Sequence, residues 1–199
     1  MKPVALIDAG GANLGSVRYA LERLGADVRV VRDADALAGC GRVVLPGVGA
    51  AAPAMALMRE RGLDYALRNL TLPLLGICLG MQLLFERSEE GDVACLGLLP
   101  GRVRRLRATA QARVPHMGWN RLRHEQASPL TAGIEDGEQA YFVHAYAAPV
   151  DAACITSCDH GGRFAAVVGV GAAWGVQFHP ERSAATGARL LSNFLAMPA

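Results

Sequence analysis

The sequence lacks two features that would suggest a membrane or a polyanion as partner. No apolar run approaches the length of about 20 residues that a membrane-spanning helix needs. The 199 residues carry 20 Lys and Arg against 18 Asp and Glu, a net charge of only +2. This balance provides no bulk attraction for nucleic acid or an anionic membrane surface. We therefore expect neither as the main partner.

The cysteines lack the spacing of a metal site or a disulfide framework. Their number is odd, and no C-x-x-C pair or His/Cys cluster completes a zinc set. The start, MKPVALIDAGG, has one lysine and a short apolar run, which favours a buried strand over a signal peptide. The pattern predicts reduced thiols, a cytoplasmic location and no metal. The five are Cys40, Cys78, Cys95, Cys154 and Cys158.

Motifs for a nucleotide cofactor or for RNA are missing as well. The loop after the first apolar run is Gly10-Gly11-x-x-x-Gly15, which departs from the G-x-G-x-x-G spacing of a dinucleotide loop. We interpret it as a tight turn and predict no cofactor. The arginines between 102 and 107 have no interleaved aromatics, so a solvated face or a partner contact is favoured over RNA binding.

The first half of the chain alternates strand-like and helix-like segments. The apolar runs VALI, DVRVV, RVVLP and LPLLGI are separated by helical patterns. One helix is expected between Asn13 and a stop at Gly25, one has Pro53 near its start, and one begins at Leu79. This alternation is typical of an α/β fold with a mostly parallel sheet flanked by helices. With 52% apolar residues and no linker, residues 1–199 are predicted to form one domain.

The second half has shorter runs with period-2 alternation. GRVRRLR, NRLRHE, AYFVHAY and FAAVVGV are separated by turn residues, a pattern typical of antiparallel strands. We expect these strands to be added to one side of the parallel sheet. AWGVQFH is interpreted as a last strand, and Ser183 as the N-cap of a final helix that runs through Leu195.

A G-x-C-x-G sequence, Gly76 to Gly80, follows the fourth strand. It is the thiol version of the nucleophile elbow, a strand-to-helix turn that holds a nucleophile above the carboxyl end of a sheet. A side chain at either glycine would collide with the turn. The following helix would direct N–H groups at the sulfur of Cys78 and favour the thiolate, and the N–H of Leu79 is a natural oxyanion donor. The alternative is a small cysteine buried in the core.

A thiol nucleophile needs a base, and His179-Pro180-Glu181 ends the last strand. In an extended chain, residues two apart face the same side. Glu181 is therefore expected to orient the imidazole of His179 as the third member of a catalytic triad. The alternatives are a strand-end histidine bonded to backbone and a glutamate at a helix N-terminus.

Pro46-Gly47-Val48-Gly49 directly follows another strand. An oxyanion hole needs a second N–H from a neighbouring strand-end loop. Glycines on both sides of Val48 would let its peptide rotate to direct that donor. The alternative is an ordinary glycine turn.

These strand-end motifs together resemble a known family. PGVG, GICLGMQLLFE and QFHPERS resemble the class I (triad) glutamine amidotransferases. PHMGWN and YFVHAY resemble, more narrowly, the glutaminase subunits of imidazole glycerol phosphate synthases. The resemblance extends from IDAGGANLGSV to the last helix. It implies a flavodoxin-like α/β fold and a glutaminase that forms one half of a heterodimeric synthase.

The resemblance also implies roles in catalysis. Cys78 would attack the side-chain amide of glutamine. His179, held by Glu181, would protonate the leaving ammonia and later activate water. Leu79 and the Val48 region would supply the oxyanion donors.

Further positions match substrate and partner contacts of the family. Gly49 and Gln82 match residues that hold glutamine, whereas Ala145 departs from the usual Ser or Thr. The positions that match the subunit boundary are Asn13, Trp119, Tyr141 and Arg182.

The expected partner is a cyclase subunit that receives the ammonia. It would make imidazole glycerol phosphate and an aminoimidazole carboxamide ribotide in histidine biosynthesis. The alternatives are the glutaminase subunit of an anthranilate, aminodeoxychorismate or pyridoxal phosphate synthase, and a non-enzymatic amidotransferase-like binding module.

Overall fold

A computed structural model describes residues 2–10 and 13–198, and Gly11 of the first loop lies outside the described residues. The described part of the chain has fourteen strands, five α-helices and three 3₁₀ turns. The strands are β1 Val4–Ile7, β2 Val28–Val31, β3 Arg42–Gly47, β4 Leu74–Cys78, β5 Phe85–Ser88, β6 Val93–Ala94, β7 Leu99–Arg105, β8 His116–Arg121, β9 Arg123–His124, β10 Gln139–His144, β11 Tyr146–Ala147, β12 Cys154–Asp159, β13 Arg163–Val170 and β14 Ala173–Val176. The helices are α1 Leu14–Arg23, α2 Ala51–Glu60, α3 Leu63–Arg68, α4 Leu79–Gln82 and α5 Ala184–Ala196, and the 3₁₀ turns are Asp35–Leu37, Pro129–Thr131 and Pro180–Arg182.

The main sheet has eight strands in the order β2-β1-β3-β4-β14-β13-β12-β9. The first five are parallel to one another, and the last three continue the sheet in antiparallel fashion. The expected α/β fold with a mostly parallel sheet is confirmed. The carboxyl ends of β3 and β4 and the chain after β14 lie at one edge, where ligands bind in open α/β sheets.

Helices cover both faces of this sheet because its strands are apolar on both sides. Residues of β1 alternate between two cores: Ala5 and Ile7 face one, and Val4 and Leu6 face the other. The first core includes buried residues of α2 and α3, and the second includes those of α1 and α5. Near-continuous apolar strands are what a parallel sheet buried on both faces requires.

The added strands of the second half are more divided than the alternation predicts. Only β9, β12 and β13 extend the main sheet, while β8 pairs with β10 as a separate ribbon and β5, β6, β7 and β11 form a third sheet. Period-2 alternation reports which face of a strand is buried but not which strand it pairs with.

Three local expectations need correction. The helix that begins at Leu79 ends at Gln82, and the apolar residues after it enter β5. The last strand ends at Val176, before Gln177-Phe178-His179. Ser183 precedes α5 but does not cap it, because its hydroxyl donates to the carbonyl of His179 at 2.7 Å and accepts from the N–H of Tyr141 at 2.9 Å.

Candidate active site

Cys78 is the last residue of β4 and has the backbone of a nucleophile elbow. Its φ of 54° and ψ of −111° are unusual for a residue with a side chain. Such strained conformations persist only where the surrounding structure enforces them, and they cluster at functional sites. The turn leaves Cys78 almost buried, at 7% exposure, on the wall of a cavity.

The two glycines of the elbow are required by close packing of α4 on the sheet. A Cβ at Gly76 would lie 2.6 Å from the carbonyl oxygen of Gly80. A Cβ at Gly80 would lie only 1.7 Å from the carbonyl oxygen of Leu45. The collision expected from the sequence therefore exists at both positions, and it explains the G-x-C-x-G pattern.

His179 and Glu181 meet through a 3₁₀ turn rather than along a strand. His179 is extended, and Glu181 lies in the turn Pro180–Arg182. The Nδ1 of His179 donates to Oε1 of Glu181 at 2.9 Å, and the side chain of Glu181 is fully buried. The side-chain amide of Asn13 donates to the same Oε1 at 2.6 Å, so two donors hold one carboxylate oxygen.

The surroundings of His179 favour its protonated form. Burial alone would lower its pKa, but hydrogen bonds to Cys78 and Glu181 and the negative charge of both groups outweigh burial and raise the pKa to about 10. A buried histidine takes up a proton when anionic partners compensate for desolvation. At neutral pH His179 is therefore expected to carry a proton, on the cavity that Cys78 also lines.

The cavity between these elements has a volume of about 180 Å³. It suits one small molecule rather than a large cofactor. Among the described residues, no group of three or more His, Cys, Asp or Glu is placed to hold a metal ion. The lining residues are Val48, Gly49, Cys78, Leu79, Gln82, Glu90, Val143, His144, Ala145, Tyr146 and His179.

The glycine turn after β3 reaches the cavity because Gly47 pairs with Cys78 in the sheet register. Val48 and Gly49 then lie at its rim, and Gly49 has a φ of +96°, which glycine adopts without strain. Leu79 lines the cavity beside Cys78. The expected oxyanion donors thus lie on the same cavity as the thiol, and their role stays a prediction.

The other described histidines and cysteines near the sheet differ from this pair. Burial lowers the pKa of His144 to about 3 and that of His116 to about 4, and His116 Nδ1 and His144 Nε2 lie 3.0 Å apart. Burial raises the pKa of Cys95 to about 11 and that of Cys154 to about 12. Both rings are therefore expected to be neutral and both thiols protonated at neutral pH.

Comparison with known proteins agrees with this geometry. The family model described as "Glutamine amidotransferase class-I" matches residues 5–197. The chain belongs to the class-I glutamine amidotransferase family.

Within this amidotransferase family it is similar to curated proteins named "Imidazole glycerol phosphate synthase subunit HisH". The one from Xylella fastidiosa (strain Temecula1) is 64% identical over 199 residues, with 100% of both chains covered. The one from Xanthomonas euvesicatoria pv. vesicatoria (strain 85-10) is 66% identical over 197 residues, 99% of this chain and 98% of the relative. The expected resemblance is confirmed.

Solved structures support the amidotransferase fold at lower identity. A structure described as "Crystal structure of glutamine amidotransferase" has a TM-score of 0.74 at 24% identity and covers 96% of each chain. The structure of PurLQS from Thermotoga maritima has a TM-score of 0.72 at 24% identity and covers 98% of each chain.

The residues expected at a boundary of this amidotransferase separate into two places. Trp119 and Tyr141 are register partners in the ribbon β8–β10, with ring centroids 5.9 Å apart. The guanidinium of Arg182 lies 5.0 Å from the Tyr141 ring centroid. Trp119 and Arg182 are exposed and Tyr141 is half-buried, so these three form a partly exposed group. Asn13 instead contacts the buried carboxylate of Glu181.

Sequence reasoning missed two polar residues of the amidotransferase site. Glu90 lines the cavity, and its Oε2 accepts from the N–H of Ala51 at 2.9 Å. Gln177 is fully buried, with Nε2 at 3.7 Å from the sulfur of Cys78. A signal for Gln177 exists, because it lies two residues before His179 in an extended segment. No local signal points to Glu90.

Proposed function

We propose that this amidotransferase hydrolyses glutamine to glutamate and ammonia with Cys78, His179 and Glu181, and that it supplies the ammonia to a cyclase subunit in histidine biosynthesis. One observation carries the chemistry. A cysteine on a strained elbow contacts a protonated histidine that a buried carboxylate orients, all on one small cavity. This arrangement of nucleophile, base and orienting group is that of a triad.

The first half-reaction transfers the glutamyl group to sulfur. The Cys78 thiolate attacks the side-chain amide carbon, and the carbonyl oxygen becomes an oxyanion held by the N–H groups of Leu79 and Val48. His179 gives its Nε2 proton to the amide nitrogen. The carbon–nitrogen bond breaks, ammonia leaves, and a glutamyl thioester remains.

Water completes the cycle. His179, now neutral at Nε2, takes a proton from the water that attacks the thioester. The carbon–sulfur bond breaks, glutamate leaves, and the thiolate and imidazolium are restored. Glu181 keeps Nδ1 protonated throughout and stabilises the imidazolium.

The cavity lining fits the polar ends of glutamine. The carboxylate of Glu90 supplies negative charge for the α-ammonium group. Gln82 donates through Nε2 to the carbonyl of Tyr146 at 2.8 Å and to Gln177 at 3.0 Å, which leaves its Oε1 as an acceptor for substrate N–H. Gly49 allows close approach of backbone. At Ala145 only the backbone is polar, so we propose that glutamine binds without a hydroxyl there.

The ribbon β8–β10 is the proposed docking surface for the cyclase. Its outer side exposes Met117 at 64% and Trp119 at 50%, and Tyr141 with Arg182 adjoins them. Exposed aromatic and methionine side chains with an arginine are enriched at protein interfaces. The names of the relatives, subunits of imidazole glycerol phosphate synthase, support a cyclase as the occupant. We propose a heterodimer, a cytoplasmic location, and one amidotransferase domain over residues 1–199.

The test is glutamate release by the chain alone, with the cyclase subunit, and with the cyclase plus its ribonucleotide ligand. We expect slow release by the chain alone and a large increase in the complex, with imidazole glycerol phosphate formed from glutamine. Stimulation by an anthranilate or aminodeoxychorismate partner instead would identify a different synthase. No release with any partner, together with an unreactive Cys78, would indicate a binding module.

A further inference from the structure

Gln177 is a fully buried amide side chain in contact with the reacting sulfur. It follows β14, and its backbone N–H donates to the carbonyl of Ala166 at 2.8 Å, which fixes the main chain. Its Nε2 lies 3.7 Å from the sulfur of Cys78. An uncharged amide with 0% exposure is costly to bury unless its polar atoms are paired.

The orientation of this amide is determined by a backbone carbonyl. The oxygen of Tyr146 can only accept, so Gln82 must present its Nε2 to it, at 2.8 Å. The same Nε2 lies 3.0 Å from the Gln177 side chain, where it needs an acceptor, Oε1. The other end of the Gln177 amide, Nε2, therefore faces sulfur. Reversing the Gln82 amide would place two oxygens together, and reversing the Gln177 amide would place two NH₂ groups together.

The carbonyl that begins this relay is itself fixed. The Nδ1 of His144 donates to the oxygen of Tyr146 at 2.9 Å. Because that nitrogen is the donor of a neutral ring, Nε2 of His144 accepts from Nδ1 of His116 at 3.0 Å. Both histidines are buried. The relay from His116 through Tyr146 and Gln82 to Gln177 thus has one consistent set of donors.

We infer that Gln177 donates a hydrogen bond to the sulfur of Cys78 and stabilises its thiolate form. In the neutral form, the S–H group of Cys78 donates to the carbonyl of Val143 at 3.7 Å. Ionisation removes that donor, whereas the N–H of Gln177 remains directed at sulfur. A donor to an ionised acceptor stabilises it more than a donor to a neutral one. Gln177 would then stabilise the thiolate together with the positive charge of His179.

The pH dependence of Cys78 alkylation in the isolated chain tests this inference. In Gln177→Leu the pH midpoint should rise by about one unit, a tenfold change in the ionisation equilibrium. Gln177→Glu keeps an acceptor for Gln82 but places an oxygen at the sulfur, so its midpoint should rise at least as far. Iodoacetamide is the probe, and mass spectrometry quantifies the Cys78 peptide.

The matched control is Gln126→Leu. That side chain donates to the carbonyl of Cys154 at 2.8 Å, away from the site, so its midpoint should equal that of the wild type. Besides Cys78, the titratable residues that line the cavity are Glu90, His144, Tyr146 and His179, and none of them is replaced in any variant. Wild-type midpoints in both Gln177 variants would overturn the inference.

A second measurement uses the unaltered side chain. The Nε2 proton signals of Gln177 in the nuclear magnetic resonance spectrum should shift with the midpoint of Cys78 alkylation. In Cys78→Ser this transition should disappear. If the Gln177 signals of the wild type do not change when Cys78 ionises, the inference is overturned, and this result does not depend on the folding of any variant.

Only the catalytic consequence rests on the proposed glutaminase function. In the complex, Gln177→Leu should lower kcat about tenfold at neutral pH and recover part of the loss at higher pH, where thiolate forms again. If the alkylation midpoints shift in the Gln177 variants but the wild type has no glutaminase activity, the hydrogen bond to Cys78 is supported and the proposed function is refuted. If the wild type is an active glutaminase but the alkylation midpoints of the Gln177 variants do not shift, only the role of Gln177 is refuted.

Discussion

Two histidines line the same cavity, but the protonated form is favoured for His179 and the neutral form for His144. Burial would lower the pKa of His179, but Cys78 and Glu181 raise it to about 10. Burial lowers the pKa of His144 to about 3, since its hydrogen bond to the Tyr146 carbonyl offsets only part of that cost and His116 adds to it. Both rings are nearly buried, at 7% and 6% exposure. Burial is therefore similar, and the anionic partners decide the charge.

The difference divides the cavity into a charged side and a neutral side. In the proposed reaction, His179 in the segment after β14 carries the proton that is transferred. The ribbon β8–β10 carries rings that stay neutral and fix the backbone around Tyr146. The charge of the neighbouring groups thus determines whether a histidine on the cavity wall is protonated or stays neutral.

The largest effect is expected for Cys78→Ser, which removes the sulfur that His179 faces. Glutamine-dependent turnover should fall by several orders of magnitude, because an alcohol is less acidic than a thiol in a site built for thiolate. The pKa of His179 should also fall, as one of its anionic partners is lost. Glutamate release and titration of the His179 ring measure the two effects. Product formation from added ammonia should persist, and substantial glutamine turnover would contradict the assignment.

The two histidines themselves provide the second contrast. His179→Ala should lower kcat by roughly 100–10,000-fold, the usual contribution of a general acid–base group. His144→Asn retains an N–H for the Tyr146 carbonyl and should act mainly on KM for glutamine. Steady-state kinetics of the complex distinguish the two. Equal losses of kcat would remove the distinction between the charged and neutral sides.

Glu181→Gln should have a smaller effect than His179→Ala. A glutamine oxygen can still accept from Nδ1 of His179, so the ring keeps a usable orientation, but the negative charge is gone. We expect measurable activity with a lower pKa of His179, seen as a shifted pH profile of kcat/KM. Wild-type rates in both variants would make Glu181 a structural residue.

The smallest effect concerns stability at acidic pH. The pKa of His116 is about 4 in the fold against 6.5 normally, so its contribution to stability is present above pH 6.5 and is lost as the pH falls towards 4. His116→Asn keeps a donor for His144 but does not titrate. It should reduce the loss of unfolding free energy over this range by about 3 kcal/mol, as measured by denaturant unfolding.

Asn120→Ala is the control for this prediction. It removes the amide that lies 3.4 Å from Nε2 of His116 but keeps the titrating ring. Its pH dependence should stay close to that of the wild type, because burial rather than this long contact is the main cause of the lowered pKa of His116. An unchanged pH dependence in His116→Asn would show that His116 is not the group responsible.

The sequence predicts the parts of the site that local spacing encodes. Cys78 is identified by two glycines whose Cβ atoms would collide with neighbouring backbone, and Glu181 lies two residues from His179. The fold class follows from alternating apolar runs. These signals are short-range, so one chain suffices to find them.

The rest depends on contacts between distant segments. Asn13 reaches Glu181 across 168 residues, and no local pattern reports that contact. Gln177 reaches Cys78 across 99 residues; its position two residues before His179 indicates a shared side but not the contact with sulfur. The sequence predicts a longer helix from Leu79 because the apolar residues up to Phe85 fit a helix or a strand equally well, whereas α4 ends at Gln82 and Phe85 begins β5. Ser183 has the identity of a cap, but its hydroxyl is engaged by His179 and Tyr141.

Mass spectrometry of the chain after reaction with a glutamine analogue tests directly whether Cys78 is the nucleophile. The analogue carries an electrophilic carbon in place of the side-chain amide. The account predicts one covalent adduct, on Cys78, with glutamine protecting against it. Cys95, Cys154 and Cys158 should remain unmodified, because burial raises their pKa values to about 11, 12 and 12. An adduct on another cysteine, or loss of glutaminase activity with Cys78 unmodified, would contradict Cys78 as the nucleophile.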